Sequence, residues 1–326
     1  MRFVETWTTA SVVATRDLTP DIREFLLRPD NFAGAPYPAG SHINVGVTSG
    51  GLPATRSYSL VGEAGPDGYR IAVRRAPDSR GGSQYMWSLA PGARLNITLP
   101  TSLFSIDWSR QHYCLIAGGI GITPIISAAQ VLARRNATFT LHYAVRSRGD
   151  AAYLNQLTTL LGDRLVVHAG DENRRLDLDA AFAALPTNAM TLFCGPMRML
   201  DAARHAWEAA GRPLTDLRYE TFGSSGLLPT EAFRVRLRDA GVEFVIPQDR
   251  SMLDVLNDAG HEVISDCRRG ECGVCAIDVV GVEGEIDHRD VFFSDHQKQA
   301  NQKICACVSR ARGVITIDTL HRTDAV

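Results

Sequence analysis

The chain has almost no net charge: 34 Lys and Arg stand against 36 Asp and Glu, a formal charge of -2 over 326 residues. That balance excludes a strongly basic nucleic-acid binder and leaves no polybasic membrane anchor. Met1-Arg2-Phe3-Val4-Glu5 lacks the apolar core of a secretory signal. One long apolar stretch without Asp, Glu, Lys or Arg, residues 111–133, is interrupted by Gly118-Gly119, Gly121, Thr123-Pro124 and Gln130. These residues break a membrane-spanning helix and suit a buried strand, a glycine turn and a helix. Repeats and low-complexity tracts are absent. With 45% apolar and 21% charged residues, the composition is that of a globular protein. At about 150 residues per domain, the length implies two or three domains. A cytoplasmic location is expected, and there the seven cysteines suit metal better than disulfides.

The pattern changes twice along the chain. Residues 1–109 read as a β-barrel, with short runs such as Ser11–Ala14, Asn44–Val47, Tyr69–Val73 and Leu95–Leu99 between Gly, Pro and Asp turns. Residues 110–223 alternate strands and helices: strands at Cys114–Ala117, Phe139–Val145, Leu165–His168 and Met190–Phe193, helices at Ile125–Arg135, Ala151–Leu161 and Met197–Ala210. That alternation is the signature of a parallel α/β sheet. Residues 224–231 read as a linker, and 232–326 as a small unit. In it Phe233–Leu237 and Val242–Ile246 form a hairpin, Met252–Asp258 a short helix and Val314–Thr319 a last strand. Asp287-His288-Arg289-Asp290 reads as a solvated charged turn.

Five cysteines crowd into this last unit. Cys267-x4-Cys272-x2-Cys275 with a distant fourth cysteine has the spacing of a plant-type 2Fe-2S site. Gly270 and Gly273 let the backbone close around inorganic sulfide and aim N–H groups at it. Structural zinc usually pairs one CxxC with another or with spaced histidines, so this triplet fits zinc poorly. Cys305 and Cys307 both qualify as the fourth ligand, with 29 and 31 residues between them and Cys275. In an extended segment, residues two apart face the same side, so only one of them can bond iron.

Several motifs upstream carry resemblances. Arg56-Ser57-Tyr58-Ser59-Leu60 resembles the flavin signature of the ferredoxin–NADP reductase superfamily. In that setting the tyrosine lies against the isoalloxazine ring, the arginine faces the phosphate and the serine bonds the ring. Ala72-Val73-Arg74 and Gly81-Gly82-Ser83 extend the same site, the latter opening a short helix whose N–H groups favour a phosphate. Gly118-Gly119-Ile120-Gly121-Ile122-Thr123-Pro124 departs from the GxGxxG dinucleotide fingerprint but matches the superfamily's Gly-Gly-x-Gly-x-Thr-Pro. Cys194-Gly195-Pro196 matches the superfamily's motif beside the nicotinamide. Asp171, at a strand end, suits the ribose hydroxyls and favours NADH, although Arg174 and Arg175 follow closely. Phe222 corresponds to the family's flavin-side aromatic.

The resemblance spans essentially the whole chain and is to the phthalate dioxygenase reductase family, similar to the vanillate demethylase reductases. It implies a multidomain fold: an antiparallel β-barrel flavin domain, an α/β parallel-sheet nicotinamide domain and a C-terminal plant-type ferredoxin domain (β-grasp, α+β). It implies FMN, NADH and a 2Fe-2S cluster held by Cys267, Cys272, Cys275 and Cys307, because the family's ligand cysteine directly precedes Val-Ser-Arg. It further implies the reductase component of a Rieske-type aromatic oxygenase or demethylase, acting on a separate terminal oxygenase; the sequence does not give the oligomeric state, and a monomer is the default expectation. A nicotinamide gives two electrons at once and a 2Fe-2S cluster takes one, so a flavin stands between them and no acid–base dyad is expected. A free-flavin reductase is disfavoured by the cysteine unit. A non-enzymatic redox sensor or electron carrier is disfavoured by intact glycines at 118, 119, 121 and 195.

Overall fold

The short runs of the first hundred residues pair into one antiparallel sheet. Residues 6–49, 51–63, 65–75, 81–102, 104, 106–222, 230–238 and 241–318 are described in the computed structural model. The first part holds β1 (Trp7–Thr19), β2 (Ile22–Pro29), β3 (Ser41–Ser49), β4 (Leu52–Ser59), β5 (Tyr69–Arg74), α1 (Gly82–Ser88), β6 (Arg94–Thr98) and β7 (Thr101–Ser102). Strand order is β4-β3-β6-β1-β2-β5, with β7 beside β3. An antiparallel bridge from Leu60 to Ile71 joins the exit of β4 to β5 and closes the sheet into a barrel. Period-two alternation sends Phe25, Leu27, Ile43, Val45, Ile71 and Ile97 inward, where each is fully buried.

The chain then lays down β8 (His112–Gly118), α2 (Ile122–Arg134), β9 (Thr138–Val145), α3 (Leu154–Leu161), β10 (Leu165–Ala169), α4 (Leu178–Ala183), β11 (Met190–Cys194), α5 (Met197–Ala209) and β12 (Leu217–Glu220). All five strands are parallel, in the order β10-β9-β8-β11-β12. The order reverses between β8 and β11, which creates a crevice at their carboxyl ends. The helix expected from Ala151 begins only at Leu154, because Tyr153 takes a left-handed conformation (φ 61°).

The barrel and the parallel sheet form one compact unit, joined by buried hydroxyls. Tyr153 donates to the Glu24 carboxylate on β2 at 2.9 Å, and Ser127 on α2 donates to backbone carbonyls after β4. The unit ends at Glu220; the second begins at Thr221. Most of the expected linker lies outside the described residues.

The second unit holds β13 (Phe233–Leu237), β14 (Glu243–Ile246), α6 (Met252–Asp258), β15 (Ala276–Asp287), α7 (Asp295–Ala300), β16 (Lys303–Cys305) and β17 (Arg310–Ile317). Its order β14-β13-β17-β15-β16, with β13 and β17 parallel, is a β-grasp sheet, and Leu253 and Leu256 of α6 join its core. Arg310 is buried and donates to the carbonyls of Arg250, Glu231 and Pro247 at 2.8, 3.0 and 2.7 Å. One guanidinium thereby satisfies three carbonyls in two irregular segments, at Glu231 and in the turn at residues 247–250. No helix among the described residues is long and apolar enough to cross a membrane.

His142 and His168 lie on neighbouring strands with ring nitrogens 3.1 Å apart. Burial, then the neighbouring ring, lowers His142 to about 4; burial also lowers His168. The unfolded chain therefore takes up protons first as pH falls below about 6.5. Stability of the first unit should decline from pH 6.5 toward 4, and His142→Gln should flatten that slope. Urea midpoints measured across this range check it; an identical slope in the variant would refute it.

Candidate redox sites

At the crevice the glycines meet one another. A methyl group on Gly121 would lie 2.6 Å from the Cys194 carbonyl carbon, and one on Gly118 2.6 Å from Pro196 Cδ. One on Gly195 would stand 3.3 Å from the Gly118 backbone. Three of the predicted glycines thus serve the mutual approach of two strand ends, which a spacing argument about phosphate alone did not reveal. Gly119 differs: φ is +55° and the space above it is open, as a turn approached by a ligand requires. Thr123 Oγ1 donates to the Ile120 carbonyl at 3.1 Å and Pro124 sits in the first turn of α2, so both fix the turn. Cys194 is fully buried, and Pro196 is the N-cap of α5.

Asp171 follows β10. Its carboxylate accepts from Ser147 Oγ at 2.9 Å and from the Arg148 amide at 3.1 Å. The loop after β9 therefore holds Asp171 in place, and Arg148 pairs with Glu172 at 3.4 Å. The sequence reading did not single out Ser147 and Arg148. Their only signal was their position at a strand end in a parallel sheet.

In the barrel, Arg56 and Tyr58 share one face of β4, while Ser57 and Ser59 share the other. Gly82 at the start of α1 leaves room for Arg56, whose Nε would stand 2.9 Å from a methyl there. Arg56 has no carboxylate partner among the described residues and donates to Thr55 O at 2.8 Å. Gly81, with φ 96°, turns the chain into α1, and Ser83 occupies that helix's first turn. A cation without a counter-ion beside a helix start fits a phosphate. Ser59 Oγ is buried without a partner among the described residues, an orphan that a flavin ring would satisfy. Tyr58 packs against the barrel core, and burial pushes its phenol well above the usual value. Leu60, Ala72 and Val73 are buried in the barrel wall. The Val73 carbonyl accepts from Trp87 Nε1 at 3.0 Å, and Arg74 is committed to Asp21 at 2.9 Å. Phe222 is half-buried at the start of the second unit.

The cysteine loop is built by left-handed backbone at Arg268, Gly270 and Gly273, with φ of 53°, 77° and 72°. These turns aim the amides of Arg269, Glu271 and Cys272 at Cys267 Sγ, each at 3.4 Å. The Cys272 thiol first, then the amides, draw the Cys267 thiol down to about 5 against the effect of burial. Cys275 and Cys307 sulfurs are 3.2 Å apart, and the Gly270 amide bonds Cys307. Thiolate-stabilising amides around convergent sulfurs are what an iron–sulfur cluster requires. Cys305 is fully buried on β16, also beside Cys275. The segment is a tight turn rather than extended: Ser309 N bonds Cys305 O at 3.0 Å, and the thiols of both Cys305 and Cys307 approach Cys275.

The Asp287–Asp290 run is not solvated. Asp287, Arg289 and Asp290 are 5%, 6% and 0% exposed. Arg289 pairs with Asp287 at 2.6 Å, and Ser309 Oγ accepts from the Arg289 amide at 3.1 Å and donates to Asp290 at 3.0 Å. Asp290 also receives the Phe293 amide at 2.9 Å, and its Cα would meet a methyl on Gly270 at 2.9 Å. Burial alone would raise the Asp290 carboxyl, but His288 and these donors hold it below its usual range. Four consecutive polar residues looked like a surface turn because charge patterning carries no record of burial beneath a metal loop.

A nucleotide crevice, a flavin-type barrel and a thiolate loop define an iron–sulfur flavoprotein reductase. Residues 115–205 match the oxidoreductase NAD-binding domain, and 235–312 the 2Fe-2S iron-sulfur cluster binding domain. The chain is 36% identical to the heme-dependent oxidative N-demethylase beta subunit of Ectopseudomonas mendocina, covering 93% of this chain and 95% of that one. It is 38% identical to the phenoxybenzoate dioxygenase subunit beta of Ectopseudomonas oleovorans, over 91% and 93%. The solved phthalate dioxygenase reductase superposes with a TM-score of 0.78 at 31% identity, covering 96% of this chain and 98% of that one. The chain belongs to the phthalate dioxygenase reductase-like family of oxygenase reductases.

Ser309→Ala would leave a buried carboxylate oxygen and a buried amide without their shared partner. A loss of about 1–3 kcal/mol is expected in the second unit, read as earlier thermal bleaching of the cluster absorbance. Unchanged bleaching would contradict the role given to Ser309.

Proposed function

We propose that the chain, a monomer in the cytoplasm, delivers electrons singly from NADH to a separate terminal oxygenase. In this reading residues 1–109 hold FMN, 110–223 the nicotinamide and 232–326 the cluster. The observation that carries it is a cysteine loop in which three amides face the Cys267 sulfur and the Cys275 and Cys307 sulfurs meet, in a chain that also builds a nucleotide crevice. Relatives named for a heme-dependent N-demethylase and for a dioxygenase share this architecture, which supports delivery to an oxygen-activating partner.

The residues supply position and charge. Arg56 and the start of α1 would hold the FMN phosphate, Tyr58 and Ser59 the ring, and Asp171 the ribose of NADH. Gly119 would admit the pyrophosphate. Cys267, Cys272, Cys275 and Cys307 would bind iron; Gly270's amide on Cys307 supports that choice over Cys305. When bound, FMN supplies the exchange between two-electron and one-electron chemistry.

Purified protein should carry one flavin and two irons. Cys307→Ser should lose the reduced-cluster EPR signal and cytochrome c reduction while NADH still bleaches the flavin, since serine oxygen is a poor ligand for a soft cluster. Cys305→Ser should keep the signal; the reverse pattern would overturn the assignment.

Arg56→Ala should lower FMN affinity by roughly tenfold or more, the scale of a charge-assisted phosphate contact, without loss of iron. Flavin release measured by fluorescence, beside iron analysis, tests this. Equal loss of both groups would contradict the modular reading.

A further inference from the structure

We infer that Ser127 is a positioning residue for hydride transfer, an inference that rests on the flavin and nicotinamide sites proposed above. Ser127 lies on the buried face of α2 and is 1% exposed. Its hydroxyl stands 2.9 Å from the Gly62 carbonyl and 3.3 Å from that of Leu60, so its one proton is shared between them. These carbonyls belong to the segment directly after Ser59. The barrel already holds that segment by its amides: Leu60 N bonds Ser41 O and Val61 N bonds Arg70 O, both at 2.8 Å. Only the carbonyl side is left, and Ser127 takes it. Gly62 has φ +77°, and a side chain there would meet Gln130, one turn further along α2.

The consequence is a short rigid path between the two reacting groups. One end is β4 with Arg56, Tyr58 and Ser59; the other is the glycine turn that opens α2. From Ile122 to Ser127 the helix rises only about 7.5 Å. With both groups bound, NADH would give up a hydride, with both electrons of its C–H bond, to the flavin and leave as NAD+, and the flavin would supply the exchange to single electrons. That first step needs donor and acceptor atoms about 3–3.5 Å apart, and an error near 1 Å costs about a hundredfold. A hydroxyl tying the nucleotide helix to the flavin strand sets that separation without touching either group. Tyr37 OH also reaches the Gly62 carbonyl, at 3.4 Å, a longer contact than the 2.9 Å bond from Ser127.

Ser127→Ala and Ser127→Thr, loaded with FMN and cluster, should be mixed anaerobically with NADH in stopped flow. In Ser127→Ala the limiting rate of flavin reduction should fall about 10- to 100-fold, and the long-wavelength NADH–flavin charge-transfer absorbance should weaken. NADH Kd, flavin content and cluster reduction by dithionite should stay within about twofold of the parent. Threonine, which keeps the hydroxyl, should restore most of the rate. An unchanged rate and charge-transfer band in Ser127→Ala, or a rate loss that follows flavin loss, overturns the role of Ser127. Failure of NADH to reduce flavin in the parent protein would instead overturn the functional reading beneath it.

Discussion

Gly121 has no space for a methyl group because the Cys194 carbonyl occupies it, and much of the first unit follows from that contact. The turns after β8 and β11 meet so closely that neither has room for a side chain at the contact. Gly118, Gly121 and Gly195 meet that condition together, and α2 and α5 start from the two turns at fixed positions. With α2 fixed, Ser127 falls opposite the exit of β4, and the barrel inherits its placement against the sheet from one buried hydroxyl and its companion at Tyr153. A strained left-handed tyrosine persists where the surroundings hold it, and the Glu24 carboxylate supplies part of that hold.

In the second unit the governing problem is negative charge on sulfur. Amides of the Cys267 loop face it only because three residues take positive φ. Such a loop has little internal pairing and must be held from below. Asp290 does this through Gly270 and Ser309, while Arg289 and Asp287 neutralise one another beside it. The Val-Ser-Arg sequence after Cys307 thereby acquires a physical meaning. Ser309 completes the buried network, and Arg310 gathers three carbonyls from two segments.

The cysteine spacing and the glycine turn were legible because each imposes a local requirement: thiolates within reach of one cluster, or a backbone without side chains at a strand end. The barrel was legible from period-two runs, although β2 escaped notice because Arg23, Glu24 and Arg28 are scattered among its apolar residues. What could not be read was any role set by a distant neighbour. Nothing near Gly121 announces Cys194, and nothing in Asp287–Asp290 announces that it lies beneath the Cys267 loop. The turn at Cys305–Ser309 has no signal of its own in the sequence, since two cysteines two apart resemble strand alternation.

The division of the chain matches the different tolerances of its two kinds of transfer. A hydride moves as an atom and demands sub-ångström placement, so flavin barrel and nucleotide sheet belong to one compact unit held by buried hydroxyls. An electron moves by overlap that decays gradually with distance, so a carrier of single electrons needs proximity but no fixed register. The cluster fold accordingly forms a compact unit of its own, with its own sheet, core and buried polar network. Rigid coupling where bonds are made and broken, and a separate body where only electrons pass, is the arrangement that lets such a chain serve an external acceptor without disturbing its own hydride step.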